Sequence, residues 1–100
     1  MNKYTLTLYV TGESKKSKKA IKNLMNLCKK VTFDTYSLEI VDTLKNPVRA
    51  EKAGVIATPT LVKESPLPVK RIIGDLSSEE KILSSLDFPP VPERDSTEGK

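Results

Sequence analysis

The stretch that most constrains the fold is residues 55–77, in which two apolar segments flank a short turn that contains prolines. The first segment is entered through Pro59, and the second carries Ile72 and Ile73. Two such runs separated by a few turn residues are typical of a β-hairpin. The sequence therefore predicts two antiparallel strands and the start of a helix, over residues 55–63, 69–73 and 75–77.

The first half of the chain combines a strand pattern with a helix pattern. Residues 4–10 alternate apolar and polar side chains, which predicts a half-buried strand. From residue 17 apolar residues recur at spacings of three and four with lysines between them, so we expect an amphipathic helix. Its predicted buried stripe consists of Ile21, Leu24, Met25, Cys28 and Val31.

A further strand and two more helices complete the pattern. The strand is predicted over residues 36–42. Asn46, Pro47 and Gly54 supply an N-cap, a first-turn proline and a C-terminal stop, which predict a short helix between them. Residues 77–80, with the sequence SSEE, form a capping box that opens the last helix.

The predicted element order, βαβαββα, defines an α/β fold with one sheet. The strand–helix–strand unit gives a right-handed parallel pair, and the hairpin adds two antiparallel strands. This order resembles a thioredoxin-like domain, in which one helix covers one face of the sheet and two cover the other. We therefore predict a single thioredoxin-like domain over residues 1–87 and, from its prolines and polar residues, a flexible C-terminal tail over residues 88–100.

Positive charge is concentrated in one early stretch. The chain has a net charge of +4. Five lysines crowd the stretch around the start of the first predicted helix: Lys15, Lys16, Lys18, Lys19 and Lys22. Such a run can be a solvated helix face, a surface for an acidic protein or a surface for nucleic acid. No aromatic residue lies between Tyr9 and Phe33 to stack on bases, so a nucleic-acid partner is not expected.

Hydropathy and cysteine content bear on the compartment. The longest apolar runs are a few residues, and the N-terminus lacks the apolar core of a signal peptide, so no membrane association is expected. The single cysteine, Cys28, allows no internal disulfide. A reducing, cytoplasmic location is therefore predicted.

The residues that thioredoxin chemistry requires are missing. An oxidoreductase of that kind needs a low-pKa thiolate at the start of the first helix, whereas the equivalent residues 11–14 read TGES. Cys28 lies in the middle of the helix, where we expect an inert packing residue. The chain has no histidine, which excludes Cys-His and Ser-His-Asp units and the ordinary zinc sites.

These absences favour a protein-binding module over an enzyme. We expect no catalytic residue, no cofactor and no metal site. The alternative is a stress-response or redox-related protein that keeps the thioredoxin fold without the Cys-X-X-Cys site.

Several short segments, in the same order over most of the chain, resemble the KaiB family of circadian clock proteins. They are LYVTG at residues 8–12, VDTLKNP at 41–47, ATPTL at 57–61 and RIIGDLS at 71–77. The resemblance implies a non-enzymatic clock or timing adaptor that binds a KaiC-type ATPase and modulates its phosphorylation cycle or output signalling. It also implies KaiA or a clock histidine kinase pathway as partners, and a homo-oligomer, tetramer or dimer, in exchange with a monomer.

The predicted contact face for the ATPase is basic and surrounds the second helix and the hairpin. Its members are Arg49, Lys52, Lys63, Lys70 and Arg71. Each of them could instead be a solvated surface charge.

A second group of residues is predicted to have structural or switching roles: Pro59, Pro66, Pro68, Gly74, Asp75 and Ser85. The prolines fix φ and remove backbone donors inside a strand pattern. The serine stands where members of the family often carry glycine. We therefore expect residues 4–44 to keep one structure, while residues 45–87 can adopt the thioredoxin-like fold or an alternative KaiB ground-state fold.

Overall fold

The computed structural model describes residues 3–30 and 35–86, which form strands and helices in the predicted order. Their bounds are β1 Lys3–Val10, α1 Lys15–Lys30, β2 Thr35–Asp42, α2 Pro47–Lys52, β3 Thr60–Ser65, β4 Lys70–Ile73 and α3 Glu79–Ser85. The predicted C-terminal tail lies outside the described residues. None of the described helices is long and apolar enough to cross a lipid bilayer.

The four strands form one mixed sheet in the order β2-β1-β3-β4. β1 pairs parallel with β2, so that Leu6 lies opposite Leu38. β3 runs antiparallel to β1 and places Leu61 opposite Leu8, and β4 runs antiparallel to β3. The parallel pair and the hairpin are both as predicted, and β2 and β4 form the two edges of the sheet.

Alternation along the strands divides the core into two layers. On one face a large cluster, which includes Leu6 and Leu8, packs against α1 and α3. On the other face a smaller cluster lies beneath α2 and consists of Tyr9, Val41, Ala50 and Val62. The prediction that one helix covers one face and two helices cover the other is confirmed.

α1 reaches the core through three side chains that are at most 1% exposed: Ala20, Leu24 and Leu27. Ile21 and Cys28 are partly buried against the same cluster. The prediction of a buried Met25 is wrong: its side chain is 42% exposed, because the stripe runs through Leu27 and leaves Met25 on its flank. The remaining member of the predicted stripe, Val31, lies outside the described residues.

β3 begins at Thr60, five residues later than predicted. The start of the segment before it is held to α2, since Val55 N donates to Ala50 O at 3.1 Å. Residues 55–59 therefore form a loop between α2 and the sheet.

α3 also begins later than predicted. Its N-cap is Ser78, whose hydroxyl accepts a hydrogen bond from Lys81 N at 3.2 Å. The predicted capping serine, Ser77, hydrogen-bonds Asp75 instead. A serine N-cap was predicted correctly, but the prediction of a capping box is wrong: Ser78 and not Ser77 is the cap, and the residue three positions on is Lys81, whose side chain cannot accept the reciprocal hydrogen bond.

Candidate partner-binding surface

α2 is a short helix with most of its surface exposed. Pro47 occupies its first turn, where a missing N–H removes no intrahelical hydrogen bond. Gly54 follows the helix with a φ of +73°, a left-handed conformation that favours glycine and ends the helix. Ala50 is the one buried side chain among the six residues of α2, so the others are available to a partner.

Three apolar side chains around α2 are exposed. Leu44 is 69% exposed, Val48 62% and Ile56 90%. We name the group Leu44, Lys45, Val48, Arg49 and Lys52 the α2 surface. All of its members except Leu44 line a shallow depression of about 450 Å³. Exposed apolar side chains beside charged ones are frequent at protein interfaces. These apolar residues were not predicted from the sequence to be part of the contact face. The signal that could have found them is that Leu44 and Val48 flank the Asn46-Pro47 helix start without belonging to an apolar stripe.

Arg49, a predicted contact residue, is bound by an acidic neighbour on β2. Its Nη1 and Nη2 donate to Oε2 and Oε1 of Glu39 at 2.6 and 2.5 Å. This double hydrogen bond raises the pKa of the Arg49 guanidinium and lowers the pKa of the Glu39 carboxyl. Because the pair is exposed, it adds little to stability. The pair links α2 to the edge strand β2 and engages the guanidinium group that was predicted to contact the ATPase.

Arg71 extends from β4 towards the end of α2. It lies opposite Val62, a member of the cluster beneath α2, and therefore shares that face of the sheet. Its Nη1 is 3.4 Å from Gly54 O. Lys52, in the last turn of α2, is exposed. The structure thus brings Arg49, Lys52 and Arg71 to one face of the sheet.

The prediction that Lys63 belongs to an exposed contact face is wrong. Lys63 is 1% exposed, because it lies opposite Leu6 and shares the buried face of β3 with Leu61. Its Nζ donates to the carbonyls of Pro66 and Pro68 at 2.5 and 3.0 Å. These acceptors compensate the burial of an ammonium group, which is unfavourable without partners. Lys63 therefore holds the β3–β4 turn from the inside.

Lys70 is also separated from the α2 surface. It pairs with Lys63 across the ladder, and alternation along the strand places it on the α1 and α3 face. The side chain is half-buried. Two of the five predicted contact residues, Lys63 and Lys70, are therefore not on the face that carries α2.

The turn between β1 and α1 is occupied by structural hydrogen bonds. Ser14 caps α1, since its Oγ accepts from Ser17 N at 3.2 Å. Asp42 Oδ1 accepts from Gly12 N at 3.0 Å and from Leu44 N at 2.9 Å, and these bonds lower the pKa of Asp42.

Cys28 lies far from this turn, near the other end of α1, and is half-buried against the core. Its expected role in packing is confirmed, but with less burial than predicted. Among residues 3–30 and 35–86, no three His, Cys, Asp or Glu side chains gather as a metal site requires.

The residues with predicted structural or switching roles lie at the joints of the second half. The peptide bonds that precede Pro59, Pro66 and Pro68 are cis. Gly74 has a φ of +130°, which is accessible to glycine and strained for other residues, and its N–H donates to Pro59 O at 2.9 Å. Ser85 is half-buried in the last turn of α3. A switching role for these residues stays a prediction.

Asp75 links the second half to α1. Its backbone oxygen accepts from Asn23 Nδ2 at 2.7 Å, and its carboxylate lies 3.4 Å from Lys19 Nζ. The hydrogen bond from Ser77 is the main cause that lowers the pKa of Asp75, and Lys19 adds to it.

Solved structures place the chain in a fold class. It is similar to oxidised mitochondrial thioredoxin 3 from Saccharomyces cerevisiae, with a TM-score of 0.69 and 17% identity over 87% of this chain and 79% of that one. It is also similar to the N-terminal domain of SasA from Synechococcus elongatus, with a TM-score of 0.66 and 22% identity over 75% of this chain and 71% of that one. The protein therefore has a thioredoxin-like fold, as the element order predicted.

Sequence comparison identifies the family within that class. The KaiB domain family model matches residues 7–88. Circadian clock protein KaiB3 from Synechocystis sp. is 47% identical over 90 residues, covering 90% of this chain and 88% of the relative. The circadian clock oscillator protein KaiB from Thermostichus vulcanus is 50% identical over 85 residues, covering 85% and 79%. The chain belongs to the KaiB family of circadian clock proteins.

Proposed function

We propose that this chain is a non-enzymatic timing adaptor that binds a KaiC-type ATPase through the α2 surface and modulates its phosphorylation cycle or output signalling. The observation that carries the proposal is the exposure of Leu44 and Val48 beside basic residues on a short helix of a KaiB-family protein. Desolvated apolar anchors supply affinity at interfaces, and surrounding charges steer the approach of an oppositely charged partner. The cytoplasm is the proposed location.

The chemistry of the chain supports adaptor function over catalysis. The chain has no histidine and a single cysteine, and that cysteine packs against the core away from the β1–α1 turn. A thiolate that serves as a nucleophile normally lies at an exposed, electropositive position such as a helix N-terminus.

We also propose that the thioredoxin-like form is the binding-competent monomer, in exchange with a tetramer or dimer in an alternative ground-state fold. The exposed apolar side chains of the second half, among them Leu67 at 79% and Ile73 at 52%, support this proposal, because a second packing could bury them. KaiA or a clock histidine kinase pathway is the proposed further partner, on the strength of family membership.

Binding of the full chain to the KaiC-type ATPase of its own organism tests the proposal. We expect Val48→Asp with Lys52→Glu to weaken binding at least tenfold, as followed by biolayer interferometry, and to abolish the effect of the chain on ATPase phosphorylation. Rising salt should weaken the parent complex, because charges are screened beyond about 8–10 Å at moderate ionic strength.

A matched control separates the α2 surface from a general effect of charge. Met25→Asp with Lys29→Glu makes the same changes on α1, which lies on the other face of the sheet, and should bind the ATPase within twofold of the parent. The proposal is wrong if the α2 variant binds like the parent, or if the parent binds no KaiC-type ATPase of its organism.

An insulin-reduction assay addresses the redox-related alternative. With thioredoxin as the positive control, we expect no turnover by this chain above the uncatalysed rate. Turnover that disappears in Cys28→Ala would favour the redox-related protein over the adaptor.

A further inference from the structure

The exposed face of α1 carries positive charge that the proposed ATPase contact does not use. α1 contains seven lysines and no acidic residue, whereas the rest of the chain has ten basic and 13 acidic residues. Five of the lysines are exposed on one side of the helix, and we name them the α1 lysine stripe: Lys15, Lys18, Lys19, Lys22 and Lys29. Their spacings of three, four and seven residues make a row about 21 Å long.

This arrangement opposes the stability of the helix that carries it. Lys18 and Lys22, like Lys15 and Lys19, are neighbours at i and i+4, where like charges repel. Positive side chains in the first turn also oppose the helix dipole, which favours acidic residues there, and the first turn of α1 has none. Solvation of the exposed helix face accounts for lysine as a residue type, but the uniform positive sign and the repulsion within the stripe favour a negatively charged partner.

In the part of the chain that the structure describes, two acidic side chains lie close to this charge. Among the described residues, Glu13 lies 3.9 Å from Lys18 Nζ and Asp75 lies 3.4 Å from Lys19 Nζ. The side chains of Lys18 and Lys19 remain 66% and 61% exposed. The ammonium groups of the stripe are therefore accessible to a partner.

We propose that the α1 lysine stripe binds an acidic polypeptide segment of a second partner protein. An extended chain rises about 3.3 Å per residue, so six or seven residues match the length of the stripe. Met25, which is 42% exposed, and the exposed Asn26 lie along the stripe and add an apolar contact and a side-chain amide.

A lipid surface fits the stripe less well. A helix that lies in the membrane interface must bury its apolar face in lipid. The apolar face of α1 is already used inside the domain, where Leu24 and Leu27 are each 1% exposed.

Nucleic acid also fits less well than an acidic polypeptide. α1 has neither arginine nor an aromatic residue. Arginine forms bidentate hydrogen bonds with phosphates, and aromatic side chains stack on bases.

The location of the stripe suits a protein with two partners. α1 and α2 pack on opposite faces of the sheet, so an acidic segment on α1 leaves the α2 surface free for the ATPase. This protein would then bring the second partner to the ATPase, because it contacts the acidic segment through α1 and the ATPase through α2.

Fluorescence anisotropy with a labelled poly-glutamate peptide tests the proposal on the full chain at low salt. We expect saturable binding by the parent and at least a tenfold loss of affinity in Lys18→Glu with Lys22→Glu. The control is Lys45→Glu with Lys52→Glu on the α2 surface, which makes the same change of charge. Its affinity for the peptide should stay within threefold of that of the parent. Single-stranded DNA of matched charge and phosphatidylserine vesicles should bind more weakly than the peptide.

Urea unfolding of the same variants separates binding from folding. Because the charge reversal relieves repulsion within α1, the midpoint of Lys18→Glu with Lys22→Glu should be no lower than that of the parent. Lys18→Gln with Lys22→Gln, which removes charge without reversing it, should weaken peptide binding at least threefold. The proposal is overturned if the peptide does not bind, if the α1 and α2 double variants lose affinity equally, or if DNA or vesicles bind more tightly than the peptide.

Discussion

The two halves of this molecule contribute to one sheet but are built differently. The first half, up to residue 44, contains the central strand β1 and a helix of 16 residues that packs on it. The second half, from residue 45 to residue 86, has helices of six and seven residues and a last strand of four. Within the described residues, five of the eight exposed large apolar side chains belong to the second half: Val48, Ile56, Leu67, Val69 and Ile73.

The difference shows that the two halves are stabilised by different means. α1 alone buries three apolar side chains, whereas α2 buries only Ala50. Polar contacts hold the turn and the loop of the second half, as Lys63 does for the β3–β4 turn and Asp75 does against α1. Segments with short elements and few buried apolar side chains open at a lower free energy than the whole domain. We therefore expect the half that carries the α2 surface to be the first to open.

The largest effect is expected in the core of the first half. Leu24→Ala should lower the free energy of unfolding by about 2–5 kcal/mol, because it leaves a cavity in a core that relaxes only in part. Urea unfolding followed by circular dichroism measures the loss. A loss of less than 1 kcal/mol in the free energy of unfolding would mean that packing of α1 against the sheet is not a main source of stability.

A smaller but sizeable effect is expected at the turn of the second half. Lys63→Met keeps the length of the side chain but leaves the carbonyls of Pro66 and Pro68 without their charged donor, so stability should fall by about 1–3 kcal/mol. Hydrogen exchange should accelerate around the β3–β4 turn. Lys52→Met, on the exposed side of α2, serves as the control and should be close to neutral; equal stability of the two variants would contradict the role assigned to Lys63.

The next effect concerns the balance between two packings. Glycine inside a helix is less favourable than other small residues by about 0.5–1 kcal/mol, so Ser85→Gly should weaken α3 and shift the chain from monomer towards tetramer. Ser85→Ala should shift it the other way. Size-exclusion chromatography and NMR spectra report both shifts. If neither variant changes the oligomeric state or the resonances after residue 45, Ser85 has no part in a switch.

The smallest effect is expected at the contact between the halves. The pKa of Asp75 is lowered in the folded protein. Its carboxylate therefore stabilises the fold at any pH above the ordinary carboxyl pKa, and this stabilisation is lost as the pH falls through the lower pKa of the folded state. Asp75→Asn should therefore be less stable than the parent at neutral pH, and the difference should shrink below about pH 4. Urea midpoints from pH 7 to pH 3 measure it; a difference independent of pH would show that the carboxylate charge is irrelevant.

Local patterns in the sequence were sufficient to predict the order of the helices and strands, and the resemblance of that order to a thioredoxin-like domain supplied the layer arrangement. Alternation in β1 and the helical spacing in α1 specify which face each element buries, and Pro47 and Gly54 specify the ends of α2. The error at Met25 arose because Leu27 satisfies a helical spacing almost as well, so that only packing against the sheet decides between them.

The contact face was harder to predict because charge was given more weight than strand alternation. Lys63 lies two residues after Leu61 on β3, so strand alternation places both side chains on the buried face. The prediction instead assumed that a lysine is exposed. Its partners are backbone carbonyls supplied by a turn, and a sequence pattern does not reveal these. Val48 and Ile56 were missed for the converse reason, since an apolar residue was assumed to be buried.

Hydrogen exchange with mass spectrometry, on the free chain and with the KaiC-type ATPase of its organism, tests the central claim most directly. We expect faster exchange in α2, β4 and α3 than in β1 and α1 of the free chain. On binding, protection should increase over residues 45–56 and around Arg71 and remain unchanged in α1. Uniform exchange in the free chain, or protection confined to α1 in the complex, would contradict it.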